Sequence, residues 1–185
     1  MSAAQAKLAA PATRYAGSYV AALREGFYRG VQPVVTARQI RAIEADFARH
    51  VARITEQSGT LQLPNGEVAP KVPFSLRWLV EGEEFIGEVS LRHQLNPWLL
   101  QEGGHIGYGI RPSRRRQGYG RRILALALEE CRSLGLERVL VTALAANPGS
   151  VRIIEANGGS LENEIDAPSG DGRLRRYWIT LPGDG

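Results

Sequence analysis

Cysteine is almost absent from this 185-residue sequence, because Cys131 is the only one. A single cysteine cannot form an intrachain disulfide, and no cluster of Cys and His has the spacing of a zinc site. We therefore expect a chain without a bound metal that works in a reducing, cytoplasmic setting. Cys131 falls on the apolar face of a predicted helix with no histidine close in sequence, which is typical of a buried thiol rather than a nucleophile.

Long hydrophobic runs are also missing, since no stretch of about 18 consecutive apolar residues occurs. We expect no membrane-spanning helix, and the alanine-rich start lacks the apolar core of a signal peptide. Residues 1–13 are expected to be a disordered tail. Residues 14–185 are expected to form one domain, with the informative motifs in residues 74–181.

Lysine is scarce too: Lys7 and Lys71 are the only two, so 21 of the 23 basic residues are arginine. The net charge is +4, which suits a nucleic-acid binder, but aromatic residues for base stacking make up only 7% of the chain. The densest arginines lie in one loop. We therefore expect a small anionic ligand and no nucleic-acid partner.

The spacing of apolar residues predicts the order of helices and strands. Thr36 is the expected N-cap of an amphipathic helix that runs to Ile54. Glycine, proline and asparagine indicate loops at 57–72 and 93–104. The other predicted helices lie at 17–25, after Gly120 and at 148–156, and the predicted strands at 75–80, 85–91, 105–110, 138–144, 160–165 and 175–181. This order indicates a mixed α/β domain around a central sheet.

The segment 111–120 connects the predicted strand 105–110 to the long helix after Gly120. Unpaired backbone N–H groups and the helix dipole at such a junction favour an anion, and Gly118 and Gly120 let the backbone approach it closely. Nearby arginines add charge-assisted hydrogen bonds. Three adjacent arginines also occur in ordinary solvated loops, but the glycines and the helix start favour a binding site. The segment matches neither a Walker A loop nor G-x-G-x-x-G.

Arg115-x-x-Gly118-x-Gly120 resembles the R/Q-x-x-G-x-G/A signature of the GNAT superfamily of N-acetyltransferases. The resemblance covers residues 74–181 and extends to Ile110-Arg111-Pro112 and Asn147-x-x-Ser150. This stretch of the sequence is similar to a bacterial branch described as predicted acetyltransferases. The resemblance implies the GNAT acyltransferase fold, a central mixed, mostly antiparallel twisted sheet flanked by helices and splayed at the acetyl-CoA site.

The same resemblance implies an N-acetyltransferase that moves an acetyl group from acetyl-CoA directly to a primary amine of a small molecule or peptide. A homodimer is compatible with this fold. Gly107 and Gly109 suit the bulge at which the strands splay. The backbones of Ile110 and Pro112 would then pair with acetyl and pantetheine groups, and Asn147 and Ser150 would contact the pantetheine arm. The implied cofactor residues are Ile110, Arg111, Pro112, Arg115, Arg116, Gln117, Gly118, Tyr119, Gly120, Asn147 and Ser150.

Two family positions depart from the pattern. Members often carry a carboxylate base where this chain has Gly104, and the adjacent His105 is our predicted catalytic base, although it can equally cap the strand edge. Members often carry a tyrosine acid where this chain has Ile154. Alternatives for the base are Glu88, His93 and Glu102, and alternatives for the acid are Tyr108 and Tyr177.

The acceptor is not identified by these residues. The loop before the glycine-bearing strand is expected to line its pocket, through Arg92, His93, Trp98 and Glu102. Two other readings stay open. A non-catalytic acetyl-CoA-binding module would explain the missing tyrosine and carboxylate, and a basic RNA-associated protein would use the arginines of residues 111–122 as a phosphate patch.

Overall fold

The computed structural model describes residues 3–28, 35–63 and 66–182. The chain forms two compact units. The first unit comprises residues 1–56, 76–90 and 108–123, and the second comprises 57–75, 91–107 and 124–185.

The described residues form six α-helices and nine strands, numbered in chain order. The helices are α1 (Ala16–Arg24), α2 (Ala37–Ala45), α3 (Phe47–Thr55), α4 (Pro97–Gln101), α5 (Tyr119–Ser133) and α6 (Pro148–Glu155). The strands are β1 (Lys7–Ala9), β2 (Thr60–Gln62), β3 (Val68–Pro70), β4 (Phe74–Glu81), β5 (Glu84–Arg92), β6 (Ile106–Ile110), β7 (Arg138–Leu144), β8 (Ser160–Asp166) and β9 (Arg173–Thr180).

Hydrogen bonding arranges these strands into three groups. One sheet has the order β1-β4-β5-β6, a second has the order β7-β9-β8, and β2 and β3 form a separate hairpin. The pairs β1–β4, β7–β9 and β8–β9 are antiparallel. The predicted α/β class, with mostly antiparallel strands and accompanying helices, is confirmed.

The N-terminal segment is ordered where the structure describes it. Lys7 pairs with Val80 and Ala9 with Trp78 along β4, and Ala6 is 1% exposed. The expectation of a disordered tail therefore does not hold for residues 3–13. Small alanines carry little hydrophobic signal in a sequence, yet they fit closely against the edge of a strand.

The predicted helix from Thr36 to Ile54 is two helices. Thr36 forms a complete capping box with Gln39, as its position predicts. Asp46 ends α2 with φ −140° and ψ 74°, and its carboxylate accepts the Arg49 N–H at 2.9 Å to cap α3. An aspartate inside an apolar repeat can thus start a new helix without changing the hydrophobic period.

Both predicted loops contain regular structure. The segment 57–72 holds the β2–β3 hairpin. The segment 93–104 holds α4, which Pro97 begins and which Asn96 caps by accepting the Leu99 N–H at 2.8 Å. Both elements are only three to five residues long, and such short elements carry no clear periodicity.

An aromatic cluster forms the core of the first unit and holds the β4–β5 hairpin. Trp78 is fully buried, stacks on Tyr19 at 4.7 Å between ring centroids, and meets Phe85 edge-on at 5.4 Å. Its Nε1 donates to the Glu88 carboxylate at 3.0 Å. This hydrogen bond satisfies an indole N–H that has no access to water.

The second unit has β9 at the centre of its sheet, between β7 and β8, with α6 packed against β7. Cys131 is fully buried, and burial raises the pKa of its thiol to about 12. The thiol is therefore protonated at neutral pH, as expected for a core residue. Across residues 3–28, 35–63 and 66–182, no helix is long and apolar enough to cross a membrane.

We predict that Trp78→Phe lowers the free energy of unfolding by about 2–3 kcal/mol, because it removes buried volume and the donor to Glu88. Urea unfolding measures the change. Trp98→Phe, at a half-buried position, is the matched control and should cost less than about 1 kcal/mol. Equal losses in the two variants would contradict a special role for the Trp78–Glu88 contact.

Candidate active site

The segment 111–120 is a structured turn that leads from β6 into α5. A short 3-10 turn spans Pro112–Arg114, and the Arg115 N–H donates to the Pro112 carbonyl at 3.2 Å. The Gln117 side chain donates to the Ser113 carbonyl at 3.0 Å. These short-range contacts define the path of the segment, which we name the arginine loop.

The arginine loop presents a run of open backbone donors. In the described part of the chain, the N–H groups of residues 116–121 donate to no acceptor, and the Arg122 N–H bonds to the Gly118 carbonyl. They precede and begin α5, where the helix dipole carries partial positive charge. Unsatisfied donors at a helix start favour an anionic ligand.

Two left-handed residues shape this run of donors. Arg116 has φ 58°, the only positive φ of a non-glycine residue in the described chain, and Gly118 has φ 85°. A left-handed arginine costs about 1 kcal/mol or more, so the surrounding contacts must hold it there. Successive N–H groups in turns with left-handed residues form concave anion sites.

Two arginines of the loop form ion pairs with carboxylates of the same unit. Arg111 donates from Nε to Glu25 at 2.8 Å, and Arg114 binds both oxygens of Glu84, at 2.9 and 2.6 Å. The hydrogen bonds from Arg111 lower the pKa of Glu25 to about 2. The Arg111 guanidinium therefore holds the loop to Glu25, the residue that follows α1, and is not available to an anion.

Four other arginines lie in the loop or directly after it, in the first turn of α5. In the described residues, Arg115, Arg116, Arg121 and Arg122 make no ion pair with a carboxylate. Arg115 donates to the Ile110 carbonyl at 3.1 Å, and Arg122 to the Ala6 carbonyl at 3.2 Å. These neutral partners orient the guanidinium groups without cancelling their charge.

The backbone of Ile110 and Pro112 is partly used within the loop. The Ile110 carbonyl accepts from the Arg115 side chain, and the Pro112 carbonyl accepts from the Arg115 N–H. A carbonyl oxygen has a second lone pair, so both can still accept from a ligand. Gly87 on β5 lies against Gly109 on β6, and a Cβ on Gly87 would lie 2.4 Å from the Gly109 carbonyl oxygen, which explains why β5 has glycine there.

Asn147 and Ser150 lie in the second unit at the start of α6. The Asn147 side-chain oxygen accepts the Ser150 N–H at 3.1 Å, so Asn147 is the N-cap. Asn147 is exposed and Ser150 half-buried. The cap leaves the Asn147 amide N–H groups and the Ser150 hydroxyl available for a ligand.

His105 substitutes for a strand partner within the second unit. Its backbone N–H donates to the Leu140 carbonyl at 2.7 Å, and its Nδ1 accepts the Leu140 N–H at 2.9 Å. Burial, aided by the charge of Arg92, lowers the pKa of His105 to about 4. The imidazole is therefore neutral at pH 7, with its proton on Nε2 and its lone pair occupied.

Gly104 has no room for a side chain. Its φ is 58°, and a Cβ would lie 2.3 Å from the Leu140 carbonyl oxygen. A carboxylate at this position would collide with the backbone of β7. The missing family carboxylate is thus a consequence of how Gly104 packs in this chain.

Four of the other acid and base candidates, Glu88, Glu102, His93 and Tyr177, are engaged in structural hydrogen bonds. Glu102 accepts from the Ser169 N–H and hydroxyl at 2.9 and 2.8 Å, and His93 Nε2 lies 2.9 Å from the Ser75 hydroxyl. Tyr177 donates to Glu155 at 3.1 Å. Ile154 is fully buried on α6 and carries no proton donor.

Of the residues expected to line an acceptor pocket, Trp98 faces a groove. The groove measures about 270 Å³ and is lined by Glu67, Pro97, Trp98, Gln101 and Pro168. Arg92 instead donates to the carbonyls of Gly103 and Gly104, at 3.0 and 2.9 Å. It therefore stabilises the turn that precedes β6.

Three carboxylates around the arginine loop escaped the sequence analysis: Glu25, Glu81 and Glu84. Glu25 and Glu84 pair with arginines, and Glu81 accepts from the Tyr119 hydroxyl at 3.1 Å. The run Glu81-Gly82-Glu83-Glu84 is a signal that could have found two of them, because an acidic turn is a natural partner for an arginine-rich loop.

A family model described as an acetyltransferase (GNAT) domain matches residues 36–160, about two thirds of the chain. The chain belongs to this GNAT family. The prediction of an acetyltransferase is confirmed by this match. Among curated proteins, no match was found.

Solved structures of GNAT proteins share the fold at low sequence identity. Mutant forms of the spermidine/spermine N-acetyltransferase SpeG from Vibrio cholerae are 14% identical, with a TM-score of 0.59 over 96% of this chain and 95% of theirs. RimJ from Mycobacterium smegmatis, in complex with CoA-disulfide, is 16% identical, with a TM-score of 0.63 over 94% and 80%. YncA from Salmonella typhimurium, a putative acetyltransferase with acetyl-CoA, is 14% identical, with a TM-score of 0.56 over 96% and 95%.

We predict that Gly104→Ala destabilises this GNAT chain by about 3 kcal/mol, since it adds a backbone clash to the strain of a left-handed residue. Gly82 is the matched control, because it has φ 59° and open space around its Cβ position. Gly82→Ala should cost only about 1 kcal/mol. Similar losses in urea unfolding would show that no clash exists at Gly104.

Proposed function

We propose that this protein is an N-acetyltransferase that binds acetyl-CoA through the arginine loop and acetylates a primary amine. The open N–H groups of residues 116–121 carry the proposal, because they form a donor array for which the described residues provide no acceptor. Arg115 and Arg116 would supply charge to the pyrophosphate. Arg111 would contribute by holding the loop rather than by touching the cofactor.

The chemistry is direct transfer. Acetyl-CoA supplies the acetyl group: the amine nitrogen bonds to the thioester carbonyl carbon, the C–S bond breaks, and the coenzyme leaves as a thiolate that takes a proton from water. The chain would contribute orientation through the backbone of Ile110 and Pro112. No covalent enzyme intermediate is needed, in line with the protonated and buried thiol of Cys131.

We propose that His105 positions β6 rather than accepting the proton of the amine. Its Nδ1 is occupied by the Leu140 N–H and its pKa lies at about 4. In this proposal the amine loses its proton to water. The ammonium form of the acceptor is unreactive, so the reaction depends on the fraction of free amine.

The Trp98 groove is the proposed contact surface for part of the acceptor. An indole face attracts organic cations, and Trp98 lines this groove. The Vibrio cholerae neighbour named above acts on spermidine and spermine, which supports a cationic acceptor. Polyamines, aminoglycosides, amino acids and peptide amines are the acceptors to screen by release of the CoA thiol.

The arginine patch is a weaker basis for RNA binding than the sequence indicated. Arg111 and Arg114 are neutralised by Glu25 and Glu84 and add little to a phosphate-binding surface. Four further arginines, which make no ion pair with a carboxylate within the described ranges, lie just before α5 or in its first turn, and this short cluster suits one small anion.

We predict that Gly118→Asp weakens acetyl-CoA binding by more than about tenfold in calorimetric titration, because it places a carboxylate at the donor array. Gly118→Asn is the matched control. Both substitutions place a side chain at φ 85° and so carry similar backbone strain, and an added Cβ makes only ordinary contact with Ala3, at 3.5 Å. The asparagine variant should bind within about threefold of the original protein. Lack of acetyl-CoA binding by the unmodified, folded protein would overturn the proposed function.

Two variants test whether His105 acts as a base or as the hydrogen-bond acceptor of the Leu140 N–H. In His105→Asn, Oδ1 can still accept the Leu140 N–H, so kcat/KM should stay within about threefold, whereas His105→Leu should lose about tenfold or more. Equal, large losses in both variants, with the acid limb of the pH profile removed, would restore His105 as the base.

The pKa of about 4 also predicts acid sensitivity. The unfolded chain takes up a proton at His105 near pH 6.5 and the folded chain does not. The free energy of unfolding should therefore decrease as the pH falls from 6.5 towards 4, and His105→Asn should remove this share of the decrease in pH-dependent urea unfolding.

A further inference from the structure

The adjoining ends of β4 and β5 contact the arginine loop at two points within the first unit. Glu84 binds the Arg114 guanidinium with both oxygens, at 2.9 and 2.6 Å. Glu81 accepts the Tyr119 hydroxyl at 3.1 Å. Arg114 precedes residues 115–118 and Tyr119 follows them, so the two contacts bracket the left-handed part of the loop.

The Glu81–Tyr119 contact is buried, and burying a carboxylate in this way costs free energy of folding. Tyr119 is 1% exposed and Glu81 8% exposed, and Glu81 Oε1 is buried without a hydrogen-bond partner in the described residues. Burial, then the hydrogen bond to Glu81, raises the pKa of Tyr119, so the phenol keeps its proton and donates it. An apolar pair of similar size is often at least as stable as a buried charge, so stability alone gives no reason for a carboxylate here.

Tyr119 links this contact to the donor array. It stands between Gly118 and Gly120, it is the first residue of α5, and its N–H is one of the open donors. Glycine on both sides leaves the backbone rotation of this segment weakly restricted. The buried phenol, held at its far end, is therefore the side chain best placed to restrict it.

We propose that Glu81 is a positioning residue which, through the Tyr119 hydroxyl, holds the open N–H groups of residues 116–121 in the geometry that binds the pyrophosphate of acetyl-CoA. The proposal rests on the proposed function, since it requires that the loop binds this cofactor. Glu84 fixes the other end of the same segment through Arg114. Preorganised donors bind an anion without first paying for the ordering of a flexible loop.

The test compares CoA with pantetheine, which lacks the pyrophosphate. Calorimetric titration with CoA, and displacement of CoA by pantetheine, give both Kd values for the unmodified protein, Tyr119→Phe and Glu81→Gln. Tyr119→Phe should raise the Kd of CoA about five- to tenfold and leave that of pantetheine unchanged, as expected for loss of one hydrogen bond to a charged group. Glu81→Gln keeps an acceptor oxygen and should bind CoA nearly as the unmodified protein does.

Tyr177→Phe is the matched control for stability. Tyr177 is also 1% exposed and also donates to a glutamate, Glu155, at 3.1 Å. It should lower the melting temperature about as much as Tyr119→Phe without changing the Kd of CoA. Glu81→Leu repeats the test from the acceptor side, and the same CoA-specific loss is expected, so the result stands if one variant fails to fold.

Two outcomes would overturn the proposal in different ways. If the unmodified protein binds CoA no more tightly than pantetheine, the pyrophosphate site fails, and the proposed function fails with it. If the unmodified protein prefers CoA and both Tyr119→Phe and Glu81→Leu keep that preference, the cofactor site stands and the positioning role of Glu81 is refuted.

Discussion

The open N–H groups of residues 116–121, which we propose as the anion site, depend on how firmly the backbone is held, and the first unit holds it through side-chain contacts. The donors of residues 116–121 lie in a segment with a left-handed arginine and two glycines, which on its own has many conformations. Arg111 binds the carboxylate of Glu25 just after α1, Arg114 binds that of Glu84 on β5, and the Tyr119 hydroxyl donates to Glu81 on β4. The aromatic core around Trp78 in turn fixes the hairpin that carries Glu81 and Glu84.

The same principle operates in the second unit, where a side chain completes a backbone ladder. His105 Nδ1 takes the place of a carbonyl opposite the Leu140 N–H, and Gly104 lies so close to Leu140 that only glycine fits. This close contact removes the space in which other family members often carry a carboxylate. The absence of a carboxylate at position 104 and the close packing of Gly104 on Leu140 therefore have the same cause.

How much the sequence predicts depends on the distance over which a contact acts. Thr36, the strand 138–144 and the helix after Gly120 were found because caps and apolar periods are local signals. Asp46 was missed because an N-cap can interrupt a helix without disturbing its apolar period. The pairing of Arg111 with Glu25 spans 86 residues, and no local pattern encodes it. The structural hydrogen bonds of Glu102 and Tyr177 likewise join residues far apart in the sequence, so no local pattern indicates them.

Arginine has two distinct uses in this loop, and they explain why a count of charges is a poor guide to the site. Arg111 and Arg114 meet carboxylates, and their planar guanidinium groups fix geometry while their charge is cancelled. Arg115 and Arg122 meet neutral carbonyls and keep their charge, as do the exposed Arg116 and Arg121. Lysine could replace the second group more readily than the first, because a point charge can attract an anion but cannot make the two-pronged contact that Arg114 makes with Glu84. Within the loop, the need for arginine rather than lysine is therefore clearest at Arg114, where the planar fork and not only the charge makes the contact.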